Sequence, residues 1–268
     1  MNILLVDRDR LSVQSLQQCL ESEGHSVVVE PVRKTALDLI NQEHFDCVAI
    51  DPAPLPSVRQ IALPLRWEQR DKYLYLVQLG HDMNDADVVR SGMNDKLLKP
   101  FAIESAQRVI RNAERLTAFM NELRQENLPG YDGDAFSPKA LQRLVLSALD
   151  RSYRYGEQAY LLLIRISNFN DIVANIGEQA AGEWIISLSA YLSKLCRISD
   201  FLGHAKPAEF GRLLLRPAAD REPPDAAERF SIALRDYQSQ SNLGITPLFT
   251  IDLLALPSGE LAERIQLD

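Results

Sequence analysis

The stretch NILLVDRD, residues 2–9, decides the fold of the first half of the chain. Its apolar run suits a parallel strand that is covered on both faces, and two carboxylates, Asp7 and Asp9, follow it at once. Further short apolar runs lie at 26–30, 47–50, 73–77 and 95–99. Segments with helical spacing, at 11–23 and 34–43, separate the first three of the five runs. This alternation predicts a doubly wound α/β domain with a parallel sheet.

Charged side chains stand where several of these predicted strands end. Asp7 and Asp9 follow the first strand, Asp51 ends the third, and Lys99 ends the fifth. Parallel sheets bind ligands beyond the carboxyl ends of their strands, so we expect these side chains to meet. Carboxylates there can hold Mg²⁺ or attack a phosphoryl group, and an ammonium can pair with the phosphate.

Residues 1–122 resemble the receiver domain of bacterial response regulators, which has a flavodoxin-like fold. The resemblance rests on the motifs ILLVDRD, VAIDPAPLP and KLLKPF. It implies that Asp51 is the phospho-acceptor of a phosphorelay, that Lys99 is the phosphate partner, and that Asp7, with Asp9 and Asp51, binds Mg²⁺. A histidine kinase is the partner that such a domain implies.

The chain departs from the receiver pattern at the positions that hold metal and read out phosphate. Arg8 takes the place of the second acid, Val77 or Gln78 that of a hydroxyl residue, and Lys96 that of an aromatic residue. The segment PAPLPS after Asp51 carries three prolines, which stiffen a loop that would have to adjust. We therefore expect weak metal binding and poor phosphorylation.

A long helix is predicted to end the first domain. Residues 101–126 lack glycine and proline and carry an apolar stripe of mixed three- and four-residue spacing. We expect this stripe to pair two chains into a homodimer, because an exposed apolar stripe would otherwise face water. Residues 127–134, NLPGYDGD, are the predicted linker.

The second domain, 135–268, is predicted to be α+β, with several helices packed on one sheet. Its register from Arg165 to Leu215 resembles the GGDEF domain of diguanylate cyclases, which has a nucleotidyl cyclase-like fold. Glu209 and Phe210 match the last two letters of the signature, whereas Lys206, Pro207 and Ala208 replace the others. Arg165 and Ala208 stand where the family carries metal-binding carboxylates, so we expect a degenerate, inactive domain.

The sequence matches one other motif of the GGDEF family, the RxxD pair. Arg197 and Asp200 match an RxxD pair that binds cyclic di-GMP at an inhibitory site, and Arg229 on the next predicted helix is a candidate second arginine. Arginine can bond guanine or phosphate through two N–H groups at once. An arginine and an aspartate three residues apart are equally compatible with an ordinary solvated pair.

The composition narrows the classes of function. A formal net charge of −8 and a pI near 5.1 argue against nucleic acid as a partner. No apolar run approaches the roughly 20 residues of a membrane span, and three scattered cysteines favour reduced thiols in the cytoplasm. The sequence leaves three readings open: a non-catalytic signalling protein that binds cyclic di-GMP, a nucleotide-free interaction scaffold, or, more weakly, a phospho-switched response regulator.

Overall fold

The structure is a computed structural model that describes residues 1–55, 57–68, 73–124, 135–197, 200–241 and 243–268. Two compact units divide the chain. The first comprises Met1–Asn121, Asp150–Glu157 and Pro257–Gly259, and the second comprises Glu122–Leu149, Gln158–Leu256 and Glu260–Asp268. The predicted linker 127–134 and the last two residues of the predicted helix 101–126 lie outside the described residues.

Among the described residues up to Glu122, five strands and five helices alternate. They are β1 (Asn2–Val6), α1 (Arg10–Ser22), β2 (Ser26–Val29), α2 (Arg33–Gln42), β3 (Cys47–Ile50), α3 (Arg59–Glu68), β4 (Tyr75–Gly80), α4 (Asp85–Arg90), β5 (Asp95–Leu98) and α5 (Ile103–Glu122).

The strands of the first unit form one parallel sheet in the order β2-β1-β3-β4-β5. This is the flavodoxin-like order, so the predicted fold class is confirmed. The sheet core is fully apolar because helices cover both faces; Ile3, Leu4 and Leu5 of β1 are 0% exposed. The order reverses at β1, which places the carboxyl ends of β1 and β3 side by side at the switch point.

The apolar stripe of α5 is not free to pair with a second chain. Val109, Ile110, Ala113, Leu116 and Met120 are all buried within the protein. The expectation of an exposed stripe is therefore wrong, because an amphipathic pattern shows which face is apolar but not what covers it. The homodimer itself stays a prediction, now without this surface.

The second unit combines helices with one antiparallel sheet, as the α+β prediction requires. The chain after the linker forms α6 (Pro138–Tyr155), β6 (Ala159–Ile166), α7 (Phe169–Ile176), α8 (Glu178–Lys194), β7 (Phe201–Lys206), β8 (Glu209–Leu215), α9 (Glu222–Ser239), β9 (Phe249–Leu256) and β10 (Glu260–Leu267). All of these belong to the second unit except the end of α6 from Asp150, which belongs to the first. The strand order is β10-β9-β6-β8-β7, and every pairing is antiparallel. Apolar side chains of β6, β8 and β9 pack with α8 and α9 into the core of this unit.

Candidate functional site

The predicted acidic residues of the first unit meet at the carboxyl edge of its sheet. Lys99 Nζ lies 2.6 Å from Asp7 Oδ2 and 2.5 Å from Asp51 Oδ2. Burial lowers the pKa of the Lys99 ammonium, but the bonds to Asp51 and Asp7 outweigh burial and raise this pKa above its usual value. The ammonium therefore stays charged and binds both carboxylates at once.

Asp9 does not join this cluster, contrary to its predicted role as a metal ligand. Its side chain is the N-cap of α1: Oδ1 accepts from the backbone N–H groups of Leu11 and Ser12, and Oδ2 accepts from the Ser12 hydroxyl at 2.6 Å. The hydrogen bond from the Ser12 hydroxyl is the first cause that lowers the pKa of the Asp9 carboxyl. The first N–H groups of a helix have no partner within the helix, and the Asp9 carboxylate accepts hydrogen bonds from them. These bonds hold the Asp9 side chain at the start of α1.

The described residues of this edge do not fit a magnesium ion. Both remaining carboxylates, Asp7 and Asp51, are bound to the same ammonium, and Arg8 and Arg33 line the adjoining cleft. No group of three or more His, Cys, Asp or Glu side chains that could hold a metal exists within the described ranges. Mg²⁺ prefers several oxygen ligands in octahedral geometry, which this set does not offer.

Positions 77, 78 and 96, where the receiver pattern has a hydroxyl residue and an aromatic residue that respond to the phosphoryl group, carry other side chains with other contacts. Val77 is buried in β4, and Gln78 is only half-buried beside it. Lys96 Nζ donates to Met83 O at 2.6 Å and lies 2.8 Å from Asp85 Oδ1. The cation at position 96 is therefore bound to the α4 side of the unit.

In the second unit, the degenerate signature forms the tight connection between β7 and β8. Lys206 ends β7, Pro207 and Ala208 form the turn, and Glu209 begins β8 with 5% exposure. Arg165 of β6 reaches this carboxylate, with Nε 3.2 Å from Glu209 Oε1. Burial raises the pKa of Glu209, although the Arg165 guanidinium opposes the shift.

Arg165 also contacts a second buried acid that the sequence did not single out. Its Nη1 lies 3.3 Å from Asp252 Oδ2 of β9, and Arg264 of β10 binds the same carboxylate through two bonds of 2.6 and 2.8 Å. Asp252 interrupts the apolar run FTIDLLAL, and a charged residue inside such a run is the feature of the sequence that could have indicated a buried ion pair. A side-chain cation thus stands between two carboxylates at the position where the resemblance implies a metal-binding acid.

His204 is buried in β7 with its ring 4.5 Å from that of Phe210. Burial lowers the pKa of His204 to about 4, against an ordinary value of 6.5, although a backbone bond with Lys206 opposes the shift. The folded state therefore keeps this ring neutral where the unfolded chain already takes up a proton.

We expect this histidine to make the protein less stable as the pH falls. Between pH 7 and 4 its contribution to the free energy of unfolding should fall by about 3 kcal/mol, since each pKa unit is worth about 1.36 kcal/mol. Urea unfolding of the wild type and of His204→Phe, followed across that range, should show the wild type losing about 3 kcal/mol more than the variant. The exposed His81 provides the control as His81→Gln; parallel curves for wild type and His204→Phe would contradict the assignment.

The RxxD residues lie on the turn between α8 and β7, and each already has an internal partner. Arg197 Nη1 donates to Glu222 Oε1 at the start of α9, and Glu222 Oε2 accepts from Ala218 N at 2.6 Å. Arg212 Nη2 of β8 donates to Asp200 Oδ2. The Arg197 side chain is 56% exposed, whereas those of Asp200 and Arg212 are 9% and 1% exposed.

Arg229 on α9 is exposed and lies close enough to this turn to act on Cys196 electrostatically. Burial raises the pKa of the Cys196 thiol, and the cations Arg212 and Arg229 oppose that rise. The three residues that the resemblance assigns to cyclic di-GMP therefore share one region, but only Arg197 and Arg229 present exposed cations.

Arg212 and Glu222 were not predicted. Arg212 interrupts the apolar run of β8, and a charge inside such a run is a readable sign of a buried ion pair. Glu222 lies in the polar segment before α9 and gives no comparable signal.

The two folds and their sites define a chain that resembles a receiver domain joined to a GGDEF domain. No family model matches the chain. The transcriptional regulatory protein PmrA of Pectobacterium parmentieri is 31% identical over 114 residues, which cover 41% of this chain and 51% of that protein. The chain therefore spans about half the length of this curated relative.

Solved structures similar to this chain include both kinds of domain. The GGDEF domain of DgcB from Caulobacter crescentus, solved in complex with c-di-GMP, is 17% identical, covers 52% of this chain and 82% of its own, and has a TM-score of 0.42. The chemotaxis response regulator CheY4 of Vibrio cholerae is 19% identical, covers 42% and 97%, and has a TM-score of 0.38. Within the described residues, no helix is long and apolar enough to cross a membrane.

Proposed function

We propose that the chain is a non-catalytic signalling protein of the two-component and cyclic di-GMP type, whose second unit is a receptor for the cyclic dinucleotide. The observation that carries the non-catalytic part is the position of Arg165 between Glu209 and Asp252. A guanidinium there supplies the positive charge that a catalytic metal would bring, and it cannot coordinate substrate phosphates as an exchangeable ion does.

The purified protein is expected to form no cyclic di-GMP from GTP with Mg²⁺ or Mn²⁺. Ala208 offers no side-chain ligand atom, and Arg165 repels a divalent cation. Product formation is measured by chromatography after prolonged incubation. Turnover that disappears in Glu209→Ala would contradict the proposal, because it would show that this carboxylate still serves a catalytic centre.

Binding of the cyclic dinucleotide is proposed at the turn after α8. The exposed pair of Arg197 and Glu222 is worth about 0–1 kcal/mol, so a ligand phosphate can displace Glu222 at small cost. Charge-assisted bonds from Arg197 and Arg229 to two phosphodiesters would each contribute about 1.5–3 kcal/mol. The balance favours the ligand even though Asp200 is engaged by Arg212.

Calorimetric titration of cyclic di-GMP is expected to show binding that weakens about tenfold or more in Arg197→Ala. Arg229→Ala should have a smaller effect in the same direction. Arg235→Ala is the matched control, because Arg235 is exposed on the same helix as Arg229 and is not part of the turn. Equal affinities for the wild type and Arg197→Ala would exclude this site, and absence of heat in the wild type would exclude the receptor function.

A nucleotide-free interaction scaffold is the second candidate function. The observation that favours it is the pairing of Asp200 Oδ2 with the fully buried Arg212, which holds the carboxylate that would otherwise accept from guanine. The third reading, a phospho-switched regulator that receives phosphate from a histidine kinase, requires Lys99 to release Asp51. Rapid labelling by acetyl phosphate that is lost in Asp51→Asn would favour this third reading over both others.

A further inference from the structure

A cleft of about 70 Å³ opens beside the cluster of Asp7, Asp51 and Lys99 in the first unit. Asp7, Arg8, Arg33, Asp51 and Ala53 line it, together with Val6 and Pro31. A water molecule takes about 30 Å³ in the liquid, so the cleft has room for a small polyatomic ion but not for a nucleotide.

The carboxylate oxygens of this cleft already have partners. Asp7 Oδ1 accepts from Asp9 N at 3.0 Å, and Asp51 Oδ1 accepts from Ala53 N at 2.8 Å. The second oxygen of each carboxylate lies within 2.6 Å of Lys99 Nζ. A divalent cation would have to displace a buried ammonium from both acids before it gained a ligand.

The cations of the cleft have bonding capacity left. Arg8 is exposed and forms no ion pair with any of the residues that the structure describes. Arg33 donates through Nη2 to Pro52 O at 2.8 Å and to Ala53 O at 3.0 Å, but its buried Nε has no hydrogen-bond partner. A buried donor without a partner is costly, so the guanidinium of Arg33 keeps bonding capacity that no described residue uses.

Lys99, Arg8 and Arg33 face the carboxylates Asp7, Asp51 and Asp9 at this edge of the sheet, so the opposite charges are equal in number. Lys99 binds Asp7 and Asp51, and Asp9 caps α1, so among the described residues the guanidiniums of Arg8 and Arg33 are the charges that no ion pair holds. A guanidinium suits an oxyanion, and Arg8 can donate parallel N–H bonds while Arg33 keeps its Nη1 donors.

We propose that this cleft binds a small tetrahedral oxyanion of the phosphate type, without covalent chemistry and without Mg²⁺, between Arg8 and Arg33. The site is independent of the cyclic dinucleotide receptor proposed for the second unit. Its ligand is either free phosphate or the terminal phosphate of a small monoester, and both present the same three or four oxygens to the arginines.

The test uses the full chain labelled with ¹⁵N and titrated separately with orthophosphate, glycerol phosphate and MgCl₂ at constant ionic strength. Orthophosphate is expected to shift the Arg33 Nε–H signal and the Ala53 amide with millimolar affinity, whereas Mg²⁺ shifts neither. Equal binding of glycerol phosphate would identify the ligand as a terminal phosphate, and weaker binding would identify it as the free anion.

Single substitutions separate this site from general charge effects. Arg8→Gln removes an exposed cation that holds no other part of the fold, and it should weaken phosphate binding about tenfold, as should Arg33→Gln. Lys34→Gln is the matched control, because Lys34 is the exposed neighbour of Arg33 outside the cleft and loses the same charge. Arg8→Asp should abolish phosphate binding and introduce Mg²⁺ binding.

Three results would overturn the proposal. Phosphate could leave the Arg33 and Ala53 signals unchanged, the Lys34→Gln variant could lose as much affinity as Arg8→Gln, or Mg²⁺ could bind the wild type at Asp7 and Asp51. The last result would restore the metal site that the receiver resemblance implies.

Discussion

Replacing Lys99 by methionine is expected to lower the free energy of unfolding by about 3–5 kcal/mol at neutral pH, the usual cost of removing one partner from a buried ion pair. The side chains of Lys99 and Asp7 are 4% and 3% exposed, and that of Asp51 is 18% exposed. Without the ammonium, two carboxylates would face each other with no cation from the described residues bonded to either. Urea unfolding followed by circular dichroism measures the loss.

The neighbouring Lys96 provides the control for this prediction. It lies in β5, the strand that Lys99 follows, and its partner Asp85 is 87% exposed, so Lys96→Met should cost no more than about 1 kcal/mol. The deficit of Lys99→Met should also shrink as the pH falls, because protonation of Asp7 and Asp51 removes the uncompensated charge. Equal losses in the two methionine variants would show that the Lys99 cluster is screened by solvent and does not hold the edge of the sheet.

Removing the carboxylate of Asp200 is expected to cost a similar amount, about 3–5 kcal/mol in Asp200→Ala. Arg212 is 1% exposed inside β8, and its Nε and Nη1 have no hydrogen-bond partner, so Asp200 is the carboxylate that offsets its charge. The guanidinium also lies over the ring of Phe230, with 4.7 Å to the centroid, and that contact alone does not offset a buried charge.

A double-mutant cycle with Arg212→Leu isolates this effect. Leucine suits the apolar surroundings of β8, so Arg212→Leu alone should cost far less than Asp200→Ala, and the double variant should recover most of the stability. Glu222→Gln is the control, because it weakens the exposed partner pair of the same turn and should change stability by less than about 1 kcal/mol. Additive losses across the cycle would show that Arg212 does not depend on Asp200.

The cycle also determines how binding experiments at this turn are interpreted. A loss of cyclic di-GMP binding in Asp200→Ala would mix a lost contact with a loosened strand. Arg197→Ala avoids that ambiguity, because Arg197 is exposed and its partner pair is weak.

The first fold could be predicted because its strands are short, apolar and buried on both faces. The third strand, 47–50, was predicted at its observed bounds, whereas the fourth was placed at 73–77 and lies at Tyr75–Gly80. Tyr73 and Leu74 are buried like strand residues but precede the pairing with β3, which begins at Tyr75. An apolar pattern in the sequence indicates which residues are buried. The bounds of a strand depend instead on where the neighbouring strand begins to form hydrogen bonds with it.

Two strands of the second unit gave no strand signal. β7 contains Gly203, and a side chain there would meet Leu141 Cβ at 2.9 Å, so the glycine serves close packing at the expense of β propensity. β10, ELAERIQL, is the edge strand of its sheet, and its residues are mostly exposed or half-buried. Charged residues on an edge strand prevent unwanted pairing with other chains. Because of these charges, the strand contains no apolar run from which it could have been predicted.

The sites were predicted in part for a related reason. The sequence placed Asp7, Asp51 and Lys99 at one edge because sheet topology brings strand ends together. It did not reveal that Asp9 caps α1 or that Arg33 donates to the loop after Asp51. These contacts depend on side-chain directions that residue spacing does not encode.

The guanidinium of Arg165 would make a metal centre costly to build at this place in the second unit. It links β6 to Glu209 of β8 and to Asp252 of β9. The substitution Arg165→Asp would gather three acids against the cations Arg264 and Lys206, and the repulsion would weaken the fold before any metal could be bound. A carboxylate gained at position 165 would therefore be opposed by a loss of stability as well as by the lack of a side-chain ligand at Ala208.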